Sequence, residues 1–366
     1  MINGKKIAVV VPAWNEEVQI GRVIESMPSF VDRIVVVNDC SGDKTAEVVK
    51  SLIKSRHNDS GIVLDIRKAD ESIYNEAGRL LEELYKREES LFPPSEIMNE
   101  NPLSDRIILI TNLINAGVGG SIARGYKWCR DHEIDCTAVM AGDGQMDPGE
   151  LESICTPVVC DGVDYVKGNR LRHRTANLVI PRTRFLGNSV LSLITKIASG
   201  YWRVSDTQTG YTAVSLNALR SIKLHQIYRR YGMPNDMLVK LNIAYCTIRE
   251  VPVKPVYRIG EKSKMKIWKV IPSISWLLLS SFFKRLWIKY LIKDFHPLFI
   301  LYHLSFLLLI ASIPFAVNIL NYYLVHPAGE RPILNSIMFM FLVVSAVQSL
   351  LFAMWMDIQD NERLYK

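Results

Sequence analysis

Apolar runs that alternate with helical patterns, followed by two long charge-free segments, predict an α/β protein. The expected fold is a mostly parallel sheet with helices on both faces, then interfacial helices and a two-helix transmembrane hairpin. Strand candidates occupy 7–11, 33–37, 62–66, 106–111, 137–140 and 165–167, and helical patterns fall near 17–27, 45–55, 120–131 and 149–159. Most of these strands are continuously apolar rather than alternating, which suits strands covered on both faces.

The first strand follows two lysines and holds only about six apolar residues before a polar turn, which does not read as a secretory leader. Residues 68–104 shift to a charged helical stretch and a Pro- and Asn-containing loop without a strand signal. They read as an insertion of one or two surface helices, a solvated excursion. At the far end, 298–320 and 333–356 contain no Asp, Glu, Lys or Arg. Each is long enough for a hydrocarbon core of about 30 Å, which takes about 20 helical residues. The domain reading is 1–258 for the α/β part, 259–295 for juxtamembrane amphipathic helices, and 296–366 for the hairpin and a short tail.

Composition agrees, because 366 residues with 49% apolar content and a mean hydropathy of +0.10 exceed what one soluble domain needs. The net charge of +7 is concentrated beside the spans, with ten Lys and Arg between 254 and 293 and one, Arg331, in the connecting loop. That asymmetry predicts that both ends, and with them the large N-terminal part, are cytoplasmic. Anionic headgroups, rather than nucleic acid, are the partner such a distribution suits. The stretch 276–283 and the cations Lys284, Arg285 and Lys289 after it fit an interfacial helix. Six cysteines without C-x-x-C spacing point to reduced packing residues, not to zinc or disulfides. Self-association is left open.

In a parallel sheet, ligands bind at the carboxyl ends of the strands. That rule selects PAWNEE, NDCSGDKT, NAGVGG and AGDGQMDP. In this arrangement the chain resembles the family-two glycosyltransferases with a GT-A, Rossmann-like fold, and in particular the polyprenyl-phosphate sugar synthases. The resemblance implies that Pro12, Trp14, Asn15 and Glu16 line the nucleotide base and ribose. It implies that Asp39 accepts from the nucleotide, with Asn38 and Cys40 departing from the family's pattern. In NAGVGGSIARGY, Gly117 and its neighbours would let a helix approach the nucleotide.

AGDGQMDP resembles a D-x-D-x-Q-x-x-P loop that grips a divalent ion on the donor diphosphate, but Ala141 stands in place of the first acid. Asp143 and Gln145 are then the implied ligands of Mg²⁺ or Mn²⁺, hard ions suited to carboxylate and amide oxygens. Asp147, just before Pro148, reads as a cap acid. Further matches imply that Asp206, Thr209 and Gly210 wall an acceptor cavity. Arg182, Arg184, Arg258, Ser263 and Lys264 are the implied phosphate contacts, on donor or acceptor.

The resemblance implies transfer, with inversion, of a sugar from a nucleotide diphosphate to a dolichyl or undecaprenyl phosphate at the bilayer surface. A lipid monophosphate has a second pKa of about 6 and needs no strong base. A hydroxyl acceptor does, and Asp236 is the residue placed to act as that base or to orient the acceptor. A glycolipid hydroxyl acceptor, a processive synthase and an inactive membrane scaffold are the competing readings.

Overall fold

The computed structural model describes residues 1–55, 74–176, 182–256, 267–325 and 332–366. The strand expected at 62–66 lies outside the described residues.

The α/β part is built on an eight-stranded sheet. Its strands are β1 (Ile7–Ala13), β2 (Arg33–Asn38), β3 (Ser95–Ile97), β4 (Ile107–Asn112), β5 (Cys136–Val139), β6 (Tyr165–Asn169), β7 (Thr212–Ser215) and β8 (Ile248–Pro252). They run in the order β3-β4-β2-β1-β5-β7-β6-β8. β1 is parallel to both β2 and β5, β2 to β4, and β6 to β8, whereas β3 and β7 run antiparallel to their neighbours.

The continuous apolar runs are explained by the two faces of this sheet. Ala8, Val10, Val35, Val37, Ile108 and Ile110 pack toward one cluster, with α4 (Val118–Asp131) supplying Ile122, Tyr126 and Cys129. The alternate residues Ile7, Val9, Val11, Ile34, Val36 and Leu109 pack toward the other. There they meet α1 (Ile20–Glu25), α2 (Thr45–Ser55) and α5 (Leu151–Cys160). Fully burying each such Val or Ile contributes roughly 1.5–3 kcal/mol, so neither face tolerates a polar alternation.

Two expectations are corrected. The insertion does contain a strand, the edge strand β3, which pairs with β4. Nor is the end of its helix α3 (Glu76–Glu88) a solvated excursion. Buried Glu88 pairs with Arg130 of α4 at 2.8 Å and with His225 Nδ1 at 2.8 Å, and the Arg130 guanidinium lies 3.9 Å from the Tyr85 ring centroid. Glu89 meets Arg124 and Lys127 of the same helix.

Beyond the sheet come α6 (Arg182–Ser199), α7 (Leu216–Ser221), α8 (Met233–Ile243) and α9 (Ile267–Trp287). The hairpin is α10 (Leu298–Val325) and α11 (Ile333–Glu362). Both helices are long and apolar enough to cross a membrane, and 22% and 11% of their most apolar windows are buried. Such exposure is inconsistent with core helices of a soluble domain. Ala198, Leu278, Phe282, Leu298, Tyr302 and Ala353 form a third cluster that joins α6 and α9 to the hairpin.

The reading of Arg285 and Lys289 as headgroup-facing is also corrected. Lys284 is exposed, but Arg285 and Lys289 are fully buried at the foot of the hairpin. Past α11 the chain returns to the sheet: Ile248 N–H donates to Leu364 O at 2.7 Å and Lys366 N–H to Ile248 O at 3.0 Å, so the tail pairs with the first residue of β8.

Candidate active site

The strand order reverses across β1, whose two neighbours β2 and β5 lead their chains away on opposite sides. Such a switch point opens a crevice at the carboxyl ends of the strands. β1 delivers Pro12, Trp14, Asn15 and Glu16 to it. Trp14 is 44% exposed and presents an apolar ring at the mouth. Asn15 takes φ +56°, a left-handed conformation that Asn tolerates.

This turn is laced to the one after β2. Asn15 N–H donates to Ser41 Oγ at 3.0 Å, Gly42 N–H to Asn15 Oδ1 at 2.9 Å, and Glu16 N–H to Thr45 Oγ1 at 2.9 Å. Asp43 accepts from Thr45 and from Glu17 N–H, and these hydrogen bonds hold its carboxyl below the usual range despite partial burial. The two loops therefore form one rigid rim.

Asp39 is the hub of that rim. Its buried carboxylate accepts from Ala116 N–H at 2.7 Å, Gly117 N–H at 2.8 Å and Asn112 Nδ2 at 2.9 Å. It thus binds the third strand-end loop to the second. Gly117, at φ +76°, precedes α4, and a Cβ there would collide with the backbone oxygen of Arg229. At Gly119 a Cβ would collide with Tyr228 O, while Gly119 N–H donates to Arg229 O at 2.9 Å. These glycines admit the backbone of 228–229 against the start of α4.

The loop after β5 carries Asp143 and Gln145. Gln145 N–H donates to Asp143 Oδ1 at 2.9 Å, and burial outweighs this bond and pushes the Asp143 carboxyl above its ordinary range. A desolvated carboxylate of this kind gains from a cation beside it. Among the described residues no three His, Cys, Asp or Glu side chains converge as a ready cage. The donor set therefore suits a hard ion that takes one carboxylate and draws its other oxygens from phosphate and water. Asp147 accepts from Gly149 N–H at 2.9 Å and pairs with Lys254, so it caps the turn at Pro148.

A second polar cluster sits at the ends of β6 and β8. Asp206, buried, accepts from Arg170 Nε at 2.8 Å and Nη2 at 3.0 Å, and this pairing holds its carboxyl low against the cost of burial. Lys167 Nζ donates to Thr209 O at 2.5 Å, and burial pushes the amine down to about 8. Glu250 accepts from Ser205 N–H, Asp206 N–H and Asn169 Nδ2. The 205–210 loop, with Thr209 and Gly210, is thus fixed from below by Lys167, Asn169, Arg170 and Glu250. None of those four was singled out in the sequence; for three of them the available signal was the run of polar residues Lys167, Asn169 and Arg170 at the end of a short apolar stretch.

Asp236 lies in the first turn of α8, where its Oδ2 accepts from Tyr228 N–H at 2.8 Å and pairs with Lys240. Arg182 and Arg184 lie in the opening turn of α6; their side chains, like Arg258, Ser263 and Lys264 as a whole, lie outside the described residues.

Residues 8–70 match the family described as glycosyl transferase family 2. The chain is similar to a UDP-N-acetylglucosamine–dolichyl-phosphate N-acetylglucosaminyltransferase of Methanococcus voltae, 28% identical over 254 residues, 69% of this chain and 86% of that protein. It is also similar to a dolichyl-phosphate beta-glucosyltransferase of Trichomonas vaginalis, 24% identical over 294 residues, 76% of this chain and 74% of that one. Among solved structures, glucosyl-3-phosphoglycerate synthase from Mycobacterium tuberculosis in complex with uridine diphosphate aligns with a TM-score of 0.46 and 17% identity, covering 77% of this chain and 80% of that one.

Proposed function

We propose that this chain, which carries a family 2 glycosyltransferase domain, moves a sugar from a nucleotide-diphosphate donor to a polyprenyl phosphate at the cytoplasmic face of a membrane. The observation that carries the reading is the joining of that domain to an apolar hairpin by a buried foot. Both ends of the hairpin lie against the catalytic domain, and the chain's similarity to dolichyl-phosphate sugar transferases supplies the acceptor class. Crevice and bilayer then serve one reaction, in which a water-soluble donor meets a headgroup whose tail stays in lipid.

In this reading the rim built by Asn15, Asp39 and the Gly117 turn receives the nucleotide, and Trp14 offers its ring to the base. Asp143 and Gln145 would hold a divalent cation, Mg²⁺ or Mn²⁺, which supplies charge neutralisation for the departing diphosphate. The acceptor phosphate oxygen attacks the anomeric carbon in line as the bond to the diphosphate breaks, which inverts the configuration. Asp206, Thr209 and Gly210 wall the acceptor side. Arg182, Arg184, Arg258, Ser263 and Lys264 are assigned to phosphate. A dianionic acceptor asks for no base, in keeping with an Asp236 carboxylate committed to Tyr228 and Lys240.

The test is to incubate membranes containing the protein with polyprenyl phosphate, Mg²⁺ or Mn²⁺ and a panel of nucleotide sugars, then weigh the lipid product. A mass increase of one sugar residue is expected with at least one donor. A panel that yields no sugar-phosphate lipid overturns the proposal, and a product on a hydroxyl lipid that also requires Asp236 would move the chain to the hydroxyl-acceptor class.

A further inference from the structure

The foot of the hairpin is a sealed polar layer in otherwise apolar surroundings. Arg285 of α9 donates to both oxygens of Asp357 on α11, Nη1 at 2.7 Å and Nη2 at 2.8 Å. Its Nε donates to Ala198 O at 3.0 Å and Nη2 also to Ile197 O at 3.0 Å, the last carbonyls of α6. Gly200, at φ +79°, follows; a Cβ there would stand 2.6 Å from Arg285 Nη1. Lys289 Nζ donates to Asn361 Oδ1 at 2.5 Å and to Asn242 Oδ1 at 3.1 Å, which ties α11 to the end of α8.

The same two helices hold the acceptor-side loop. Ser192 of α6 and Thr207 meet hydroxyl to hydroxyl at 3.1 Å, and Gln208 Nε2 donates to Asn235 Oδ1 of α8 at 2.9 Å. A continuous chain of contacts thus runs from Asp357, through Arg285 and the carbonyls of α6, to Thr207 beside Asp206. Holding both carboxylate oxygens and two carbonyls takes four bonds, which the five donors of a planar guanidinium supply and the three of an ammonium do not.

We infer that Arg285 is a positioning residue, which fixes the 205–210 loop at a set height relative to the hairpin and so to the headgroup of a membrane-embedded acceptor phosphate. The inference rests on the acceptor reading proposed above. It differs from a purely structural role because it assigns the pair an effect on the lipid substrate and none on the nucleotide sugar.

The experiment uses the full chain in liposomes, as wild type, Arg285→Lys and the milder Asp357→Asn. Amide hydrogen exchange of 205–210 is measured without substrates, and kcat and KM are measured for a long-chain polyprenyl phosphate and for the donor. Arg285→Lys is expected to speed exchange of 205–210 at least tenfold while β1 and β2 keep their protection, and to raise the KM for the lipid at least fivefold with the donor KM unchanged. Asp357→Asn should shift the same readouts in the same direction and keeps the test open should Arg285→Lys fail to fold. Unchanged exchange of 205–210, or losses shared equally by lipid and donor, would overturn the inference. A wild-type protein that forms no lipid product would instead overturn the acceptor reading, while the exchange data still decide whether the pair holds the loop.

Discussion

Arg285 and Asp357, 72 residues apart in the chain, meet as a fully buried two-pronged pair that joins helix α9 to the end of the second apolar helix α11. Removing one partner of such a pair strands a charge in a medium that cannot solvate it, at a cost of about 3–5 kcal/mol. Asp357→Ala is therefore expected to lower the unfolding free energy by that order. The double replacement Arg285→Met with Asp357→Leu should recover much of the loss. Thermal unfolding in a mild detergent, with the wild type and both variants in one buffer, is the check.

Asp143 is the one acid in the loop after β5 that reads as a cation ligand, and removing a group that stabilises developing charge typically costs about 10²–10³ in rate. Asp143→Ala is expected to reduce sugar transfer by at least that factor. Ala141→Asp should leave transfer within a few-fold of wild type, since in the proposed mechanism the donor diphosphate supplies the remaining oxygens. Initial rates of lipid product at saturating Mg²⁺ decide both.

Burial raises the carboxyl of Asp143, so the folded state holds its proton more tightly than the unfolded chain does. The sign follows: stability from this group is present below the ordinary Asp pKa and is lost as pH rises through the raised one. At neutral pH the ionised side chain is a burden on the cation-free protein. Asp143→Asn is expected to match or exceed the wild-type melting temperature at pH 7 without added metal, while being inactive. A clear drop in melting temperature would refute this account.

Asp39 satisfies two backbone N–H groups and the Asn112 amide at once. Leaving buried donors unpaired costs about 1–3 kcal/mol each. Asp39→Ala is expected to destabilise the protein by at least 2 kcal/mol on that scale and to raise the KM for the donor. Gly117→Ala should weaken donor use as well, because its Cβ collides with Arg229 O at a left-handed φ. Denaturant titration and donor saturation curves test the pair.

The insertion is fastened through Glu88. With Arg130 and His225 deprived of this carboxylate, Glu88→Ala is expected to cost about 1–3 kcal/mol of local stability. Proteolysis should then begin between 74 and 104 before the sheet opens. Cleavage that starts elsewhere at the wild-type rate would count against the docking.

Much of the sheet was legible because a strand buried on both faces must be apolar throughout, and β1, β2, β4 and β5 obey that demand. β3 and β8 were not, for physical reasons. β3 is a three-residue polar edge, and β8 carries Glu250, whose burial is affordable only because Asn169 and two backbone N–H groups await it. Asp39 and Asp143 stood out as strand-end acids. The partners that define Asp39 lie 77 and 78 residues downstream, beyond the reach of any local pattern. Arg285 and Lys289 misled for the same reason: cations spaced among apolar residues look like headgroup contacts until a distant carboxylate and amides are brought to them.

The return of the tail to β8 has a bearing on biosynthesis. The strand Ile248–Pro252 is made before the hairpin, but the residues that pair with its first residue, Leu364 to Lys366, emerge only after the second apolar helix. Until that helix is in place, Ile248 at the start of this edge strand lacks both of its partners on that side. The last backbone pairing of the sheet is thereby made to wait for the placement of the second apolar helix.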